Sequence, residues 1–479
     1  MLHRAVHQQK EWRECAGLAV MMFVLSACAL KSPPAHTDVV KDALPTGTRV
    51  RATWSATSNA NGVTDNWLES FRDPRLDAVV AEATHNNLDL RQAAARVEVA
   101  RQTVVVVGSS LWPLVGAQFG ARATHATSDN EGKWFQSTLA YAAVSWELDV
   151  WGQLRAQRAA SNAGFQATAL DYAFARQSLA ATTAKSWYLT IETRQLLALA
   201  EQSVATYSRL LELVRVRRDA GRVADLDVAE ASANLNQAES DVRIAQGRYS
   251  EARRALELLL GRYPAAEIDV STTFATLPPP VAAGLPSSLL ERRPDVMSAE
   301  REVLAAFRTK EAARLALLPS LGLNLDGGRL SDRLLSLLHL NPWLLHSAVG
   351  MLVPIFEGGA LRAQIKIATA EQEQSVAQFG AVALRAFGEV EVALTNEGLL
   401  AERAQFDQRV LEDRTSAVRI ATTKYLAGTI DLLSVLILQT EQINAQARLI
   451  RLRNAQLANR INLHLVLGGS FDSAPAARP

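Results

Sequence analysis

The stretch Leu154-Arg155-Ala156-Gln157 opens a long alanine-rich segment, and the same four residues return as Leu361-Arg362-Ala363-Gln364. The chain therefore repeats itself at an offset of about 206 residues. Other landmarks recur in the same order: Leu88-Asp89-Leu90 and Pro294-Asp295-Val296, Pro113 with Gly116 and Pro319 with Gly322, and Ala220-Gly221 with Leu226 and Ala427-Gly428 with Leu433. Each half of the chain is thus predicted to be one copy of the same structural unit.

The hydrophobic period changes in the same order in both halves. Apolar residues at steps of three and four predict helices at 75–107, 152–219 and 226–261, and again at 288–316, 360–426 and 432–467. Alternating apolar and polar residues predict strand hairpins at 113–149 and 319–356. A proline-rich linker, 277–287, separates the first repeat, 75–276, from the second, 288–468, and a flexible C-terminal tail is predicted at 469–479.

The two longest helices would each extend about 100 Å at about 1.5 Å per residue. Their apolar residues follow a coiled-coil seam, as in Leu196, Ala200, Val204, Tyr207, Leu211 and Val214. A rod or a spectrin-like bundle is the alternative interpretation. A rod would not interrupt itself twice with a strand hairpin at matched positions, so the pattern favours the wall of a helical tube.

The predicted strands carry one apolar and one polar face. Leu321, Leu323 and Leu325 alternate with Gly322, Asn324 and Asp326, and Ala140, Ala142, Val144, Trp146 and Leu148 form an apolar face on another strand. Such strands are typical of an outer-membrane barrel, although a half-buried sheet in a soluble domain fits the alternation equally well. Four strands cannot close a barrel, and lipid does not tolerate an open edge. Several chains must then share one barrel, and three copies would give twelve strands.

The N-terminus predicts export and lipidation. Basic residues precede an apolar run from Ala16 to Ala27, which is too short to span a bilayer. The run ends in Leu25-Ser26-Ala27-Cys28, which resembles the bacterial lipobox. We therefore expect a signal peptide at 1–27, a diacylated Cys28 and a lipid-anchored segment at 28–74; an ordinary signal peptide with a chance cysteine is the alternative. Ala29 rather than Asp follows the cysteine, so delivery to the outer membrane is expected.

Composition argues against several classes of function. The formal net charge of +1 shows no excess of basic residues of the kind that binds nucleic acid. With only two cysteines, Cys15 and Cys28, the chain cannot be held together by several disulfides. The eight histidines follow no metal-ligand spacing, and the chain has no nucleophile motif and no phosphate loop. We therefore expect neither an enzyme nor a metal or cofactor site.

Several motifs resemble TolC-like outer membrane factors, specifically the NodT-type lipoprotein branch of resistance-nodulation-division efflux systems. The matching stretches are Leu289-Leu290-Glu291-Arg292-Arg293-Pro294-Asp295-Val296, Leu148-Asp149-Val150-Trp151-Gly152, Val353-Pro354-Ile355-Phe356-Glu357-Gly358-Gly359 and Tyr425-x-Ala427-Gly428. The resemblance implies a mixed α and transmembrane β fold. Four strands per chain would form a shared twelve-stranded trimeric barrel, continuous with a long α-helical barrel in the periplasm. It also implies a periplasmic adaptor and an inner-membrane resistance-nodulation-division transporter as partners.

The two helix-hairpin turns, 219–228 and 426–435, are the predicted functional end. In similar proteins a leucine five residues after the turn glycine narrows the channel, and Leu433 holds that place after Gly428. At the place of the acid nine residues after the glycine the second repeat has Ile437, whereas the first repeat has Glu230. Asp431 and Asp225 are the other candidates for the acidic ring, and Leu226 is the first-repeat counterpart of Leu433. Gly221, Arg222, Gly428 and Thr429 are the residues predicted to contact the adaptor. Alternatively, the glycines are only helix C-caps and the acids only caps or solvated side chains.

The sequence thus predicts the outer-membrane exit duct of a tripartite pump that passively conducts small molecules from the periplasm to the exterior. A duct for type I protein secretion is the alternative, since it uses the same architecture. Aromatic residues near the strand ends are expected to form an interface girdle: Trp112, Trp134, Trp146, Trp151 and Trp343.

Overall fold

The computed structural model describes residues 30–45, 47–48, 50–55, 65–128, 131–331 and 344–472. The predicted signal peptide, Cys28, Trp343 and residues 473–479 lie outside the described residues. The elements in chain order are α1 (His36–Ala43), a 3-10 helix (Trp67–Phe71), α2 (Pro74–Asn86), α3 (Leu88–Ser109), β1 (Leu114–Ser128), β2 (Glu131–Leu148), α4 (Gln153–Asp219), α5 (Asp225–Leu259), α6 (Pro286–Leu289), α7 (Pro294–Leu315), β3 (Ser320–Ser331), β4 (Leu344–Leu352), α8 (Ala360–Leu426) and α9 (Leu432–Val466).

The duplication is visible in the lengths of the helices. The long helices α4 and α8 each contain 67 residues, and the helices that follow them, α5 and α9, each contain 35. Alanines of α4 such as Ala180, Ala181 and Ala184 are fully buried, since a methyl side chain lets neighbouring helices approach closely. Both repeats therefore use the same order of short helices, strand hairpin, long helix and returning helix.

The predicted helix 75–107 is wrong at one point, because the chain breaks at Asn87. The backbone of Asn87 is extended, with φ −62° and ψ 128°, and this separates α2 from α3. Its side-chain oxygen accepts from the Leu90 N–H at 3.0 Å, and its amide donates to the Leu259 carbonyl at 3.1 Å. Asn87 therefore caps α3 and ties the break to the end of α5.

The predicted start of the helix 288–316 is also wrong. A short helix ends at Leu289, and α7 starts at Pro294. Proline disfavours helical backbone in the residue before it and is well suited to the first helical position, so the helix restarts there. In the same way β4 ends at Leu352 rather than at 356, because Pro354 has no N–H to continue a strand ladder.

The chain divides into two compact units, and each unit takes residues from both repeats. The first comprises residues 1–46, 96–169 and 298–381, and the four strands lie in it. The second comprises residues 47–95, 170–297 and 382–479 and holds the two hairpin turns. A repeat is therefore a unit of sequence and secondary structure, but neither repeat is a compact body.

In the first unit, the N-terminal segment is fixed by a buried ion pair on α7. The Lys31 N–H donates to Glu311 at 2.7 Å, and Arg308 donates to the Lys31 carbonyl at 2.8 Å. Arg308 and Glu311 pair with each other at 2.6 Å. Both backbone groups of Lys31 are thus satisfied by side chains that are themselves nearly buried.

In the second unit, the segment before α2 completes the core. Trp67 and Phe71 of the 3-10 helix are buried among Trp187, Tyr188 and Ile461, and the Trp67 ring stacks on His464 at 5.7 Å. Burial lowers the pKa of His464 to about 4, since a buried imidazolium loses hydration. Trp67 and Phe71 lie in the segment 28–74, which was predicted only as a lipid-anchored segment.

The second unit also orders the start of the predicted C-terminal tail. The Ser470 N–H donates to Asp65 at 2.9 Å, and Asp472 pairs with Arg176 at 2.6 Å. The prediction of a flexible tail from residue 469 is therefore wrong for Ser470 and Asp472, because side chains from distant parts of the chain bind them.

A buried arginine in the second unit contacts residues of three helices. Arg293 precedes α7, and its side chain is only 4% exposed. It forms two hydrogen bonds with Asp295, at 3.0 and 2.7 Å, and one with Glu389 of α8, at 2.6 Å. It also donates to the Val466 carbonyl at the end of α9, at 3.4 Å. The Glu-Arg-Arg-Pro-Asp stretch therefore acts as a structural joint.

Candidate functional site: the hairpin turns and the faces of the sheet

The two hairpin turns share one backbone geometry. Gly221 and Gly428 have φ values of +68° and +76°, a region that favours glycine. Arg222 N–H donates to the Arg217 carbonyl at 2.8 Å, and Thr429 N–H donates to the Lys424 carbonyl at 2.9 Å. These bonds close α4 and α8 with Schellman motifs, so the C-cap interpretation of the glycines is confirmed. Arg222 and Thr429 are exposed in these turns.

The acids of the two turns have different local roles. Asp431 caps α9 by accepting from the Ser434 N–H at 2.9 Å, and hydrogen bonds from the Ser434 side chain and backbone lower the pKa of Asp431. In the first turn Asp227 accepts from the Ala224 N–H at 2.9 Å. Asp225 is almost fully exposed and lies 3.9 Å from Arg218. Asp431 is therefore a helix cap, one of the roles considered for it.

Leu433 does not belong to the core of its own chain. Its neighbours Leu432, Val435 and Leu436 are buried between the hairpins, whereas Leu433 is 50% exposed. Leu226, at the equivalent place in the first turn, is 68% exposed. Each hairpin turn thus presents an apolar side chain outward at the position predicted for the constriction.

Arg217 joins the two hairpins, a contact that no motif in the sequence predicts. Its guanidinium donates to the carbonyls of Tyr425, at 3.1 Å, and Leu426, at 3.4 Å, at the C-terminal end of α8. It also lies 4.7 Å from the centre of the Tyr425 ring. The positive guanidinium suits this place because the carbonyls in the last turn of a helix have no partner within the helix and are negatively polarised. The ends of α4 and α8 are held together in this way.

The strands form one antiparallel sheet in the order β1-β2-β3-β4, and its register sorts the side chains by polarity. Val115, Ala117 and Phe119 share one face with Val144, Trp146, Leu148, Leu321, Leu323, Leu325, Val349 and Met351. Gly116, Gln118, Arg122, Tyr141, Ser145, Glu147, Gly322, Asn324, Asp326 and His346 share the other. The predicted alternation is confirmed, and β1 and β4 are the edges of the described sheet.

The aromatic residues near the strand ends differ in their contacts. Trp112 and Trp134 are exposed. The indole N–H of Trp146 donates to the Leu111 carbonyl at 3.1 Å, and that of Trp151 donates to the Pro319 carbonyl at 2.7 Å. Trp146 and Trp151 therefore also tie the strands to the neighbouring backbone.

Among the helices of the described residues, none combines the length and the apolar character needed to cross a membrane. In the same part of the chain, no group of three or more His, Cys, Asp or Glu side chains is arranged to hold a metal ion.

A sheet with one apolar and one polar face, together with long paired helices, is the arrangement expected of a channel protein of the outer membrane. The profile of the family described as "Outer membrane efflux protein" matches residues 79–262 and 285–469, one match in each repeat. The chain belongs to this family. Its fold is the mixed α and β channel fold, and it is an outer-membrane exit channel for efflux, as the sequence predicted.

Curated relatives and solved structures agree with this assignment. The pyoverdine export outer membrane protein OpmQ of Pseudomonas putida is 30% identical, covering 95% of this chain and 97% of its own. The cation efflux system protein CusC of Escherichia coli is 28% identical, covering 95% and 98%. The structure of the outer-membrane channel OprN superposes with a TM-score of 0.82 at 25% identity, covering 92% of this chain and 99% of its own. These relatives are channel proteins rather than enzymes.

Proposed function

We propose that three copies of this chain form the lipid-anchored exit duct of a tripartite efflux pump. The duct conducts small molecules passively from the periplasm to the exterior after docking to a periplasmic adaptor and an inner-membrane resistance-nodulation-division transporter. The observation that carries the proposal is the four-stranded sheet with one apolar face, one polar face and two open edges. An apolar face suits lipid and a polar face suits a water-filled lumen.

The open edges require a shared barrel. Each edge strand has unpaired backbone groups, and every such group in lipid costs several kcal/mol. Pairing β1 of one chain with β4 of the next removes all edges when the ring closes, and three chains give twelve strands. A monomer cannot satisfy its edges in this way.

We therefore expect chemical crosslinking in mild detergent to give a ladder that ends at the trimer. The same sample crosslinked after denaturation should give only monomer, because the ladder depends on folded edges. A monodisperse monomer that retains its β-sheet signal would contradict the shared barrel.

The anchor is proposed at Cys28, three residues before Lys31. Arg308 and Glu311 hold Lys31 against α7, so the chain is fixed to the first unit soon after the proposed anchor. Acyl chains fix a protein to one leaflet, and the strands provide the passage through the membrane.

Mass spectrometry of the mature N-terminal peptide should show diacylated Cys28. Cys28→Ser should impair anchoring but spare the sheet, since strand pairing does not depend on the acyl chains. Cys15→Ser is the matched control, because residue 15 lies in the predicted signal peptide and is removed with it. An unmodified peptide that begins at another residue would refute the lipobox.

The hairpin turns are proposed to meet the adaptor and to narrow the duct. Gly221, Arg222, Gly428 and Thr429 lie in exposed turns, where backbone and side chains are free to contact a partner. Leu433 and Leu226 are proposed for the constriction, since both are apolar side chains that no core of their own chain covers. The names of the relatives favour small cargo over protein secretion, because they refer to pyoverdine and cations.

A further inference from the structure

The polar face of the sheet contains a cross-strand pair that the duct function does not require. Asp326 on β3 lies directly opposite His346 on β4, and the His346 Nδ1 is 3.4 Å from the Asp326 carboxylate. The two side chains are 39% and 68% exposed, so water and ions reach both. The pair is an ion pair only when the imidazole is protonated.

The residues beside this pair on the neighbouring strands are too small to cover its side chains. On the same face, Ala143 of β2 is paired with Asp326, and Gly116 of β1 is paired with Ala143. Neither neighbour carries a charge or a side chain long enough to shield the pair. Asp326 and His346 therefore supply the charge at this level of the described sheet.

Three other ionisable groups lie on the polar face within the part whose side chains are described: Glu147, Arg122 and Tyr141, whose hydroxyl donates to the Gln118 side chain. Glu147 of β2 is four positions along the strand from Ala143, about 13 Å away at about 3.3 Å per residue. Arg122 of β1 is six positions from Gly116, about 20 Å away. Glu147 and Arg122 therefore lie at other levels of the sheet than the pair of Asp326 and His346.

We infer that Asp326 and His346 form a pH-dependent selectivity ring in the lumen of the barrel. This inference rests on the proposed function, since it requires three sheets to share one lumen. With neutral imidazole each pair carries one negative charge, and the ring favours cations. When the imidazole is protonated the two charges cancel, and the ring loses this preference.

The test measures reversal potentials of the purified full-length protein in planar bilayers under a KCl gradient. The gradient should use about 10 mM salt on the dilute side, because the Debye length is then about 30 Å and charges on the wall act across a wide lumen. For the wild-type protein we expect the permeability ratio of potassium to chloride to fall about twofold or more from pH 8 to pH 5.

Two variants separate the partners. His346→Asn should keep the high-pH ratio at both pH values, because the ring can no longer gain positive charge. Asp326→Asn should lower the ratio at pH 8 and favour chloride at pH 5, because the protonated imidazole is then unopposed. His125→Asn is the matched control, since His125 belongs to β1 but lies on the opposite face of the sheet, and it should behave like the wild type.

A pH response that persists in His346→Asn, or that disappears in His125→Asn, would overturn the selectivity ring while the duct itself stands. A wild-type protein that forms no conducting channel would overturn the proposed duct, and the ring with it.

Discussion

Replacing Leu433 by alanine will raise the single-channel conductance of the trimer by about twofold or more, because an apolar constriction impedes hydrated ions. At the proposed constriction three copies of Leu433 would converge, so the substitution removes side-chain volume from each of the three. The core between the hairpins should remain intact, since Leu432, Val435 and Leu436 provide it and Leu433 is half exposed. Conductance in planar bilayers measures the effect, and thermal melting of the trimer should be unchanged.

Leu426→Ala is the control for this experiment. Leu426 is also apolar and exposed, and it ends α8 close to the same turn, but it is not at the proposed constriction. Its replacement should leave the conductance at the wild-type level. If Leu426→Ala raises the conductance and Leu433→Ala does not, the constriction lies elsewhere in the turn.

Replacing Arg293 by methionine will cost about 3 kcal/mol of folding free energy or more, since removing one partner of a buried ion pair leaves the others unpaired. Methionine fills similar space but cannot donate to Asp295, Glu389 or the Val466 carbonyl. The junction of α7, α8 and α9 would therefore loosen. Denaturant unfolding followed by helical circular dichroism, together with the yield of trimer from membranes, measures the loss.

Arg292→Met provides a comparison within the same motif. Arg292 pairs with Asp65 at 3.0 Å, and their side chains are 31% and 49% exposed, against 4% for Arg293. An exposed pair of this kind contributes about 1 kcal/mol or less. Equal losses for the two variants would show that Arg293 is not the joint of these helices.

Features that depend on residues close together in the chain could be predicted from the sequence. The lengths of α4 and α8 follow from an uninterrupted helical period that ends in Ala-Gly, and the sheet faces follow from strict alternation. The Asn87 break has a local signal as well, since asparagine before a helical period is a good cap. However, apolar residues continue at helical spacing on both sides of Asn87, and this pattern predicted one unbroken helix.

Contacts between distant segments had no such signal. Glu311 binds Lys31 across 280 residues, and Arg217 binds Tyr425 across 208. Each of these side chains looks like an ordinary solvated charge on a helix, and only the packed structure gives it a partner. At the candidate site, the turn glycines and the place of Leu433 were predictable, whereas the bridge made by Arg217 was not.

The interleaving of the two repeats in both compact units restricts the order in which the chain can fold. The first unit is incomplete until residues 298–381 have been synthesised and exported and can pack with residues 96–169. The second unit, which includes residues 47–95 and 170–297, is incomplete until the segment that starts at 382 follows. The first half therefore emerges before it can bury its apolar surface, and we expect it to be exposed to aggregation and proteolysis during that interval. A fragment that stops in the linker 277–287 would contain neither complete unit, and we expect it to be degraded rather than to accumulate as a folded half.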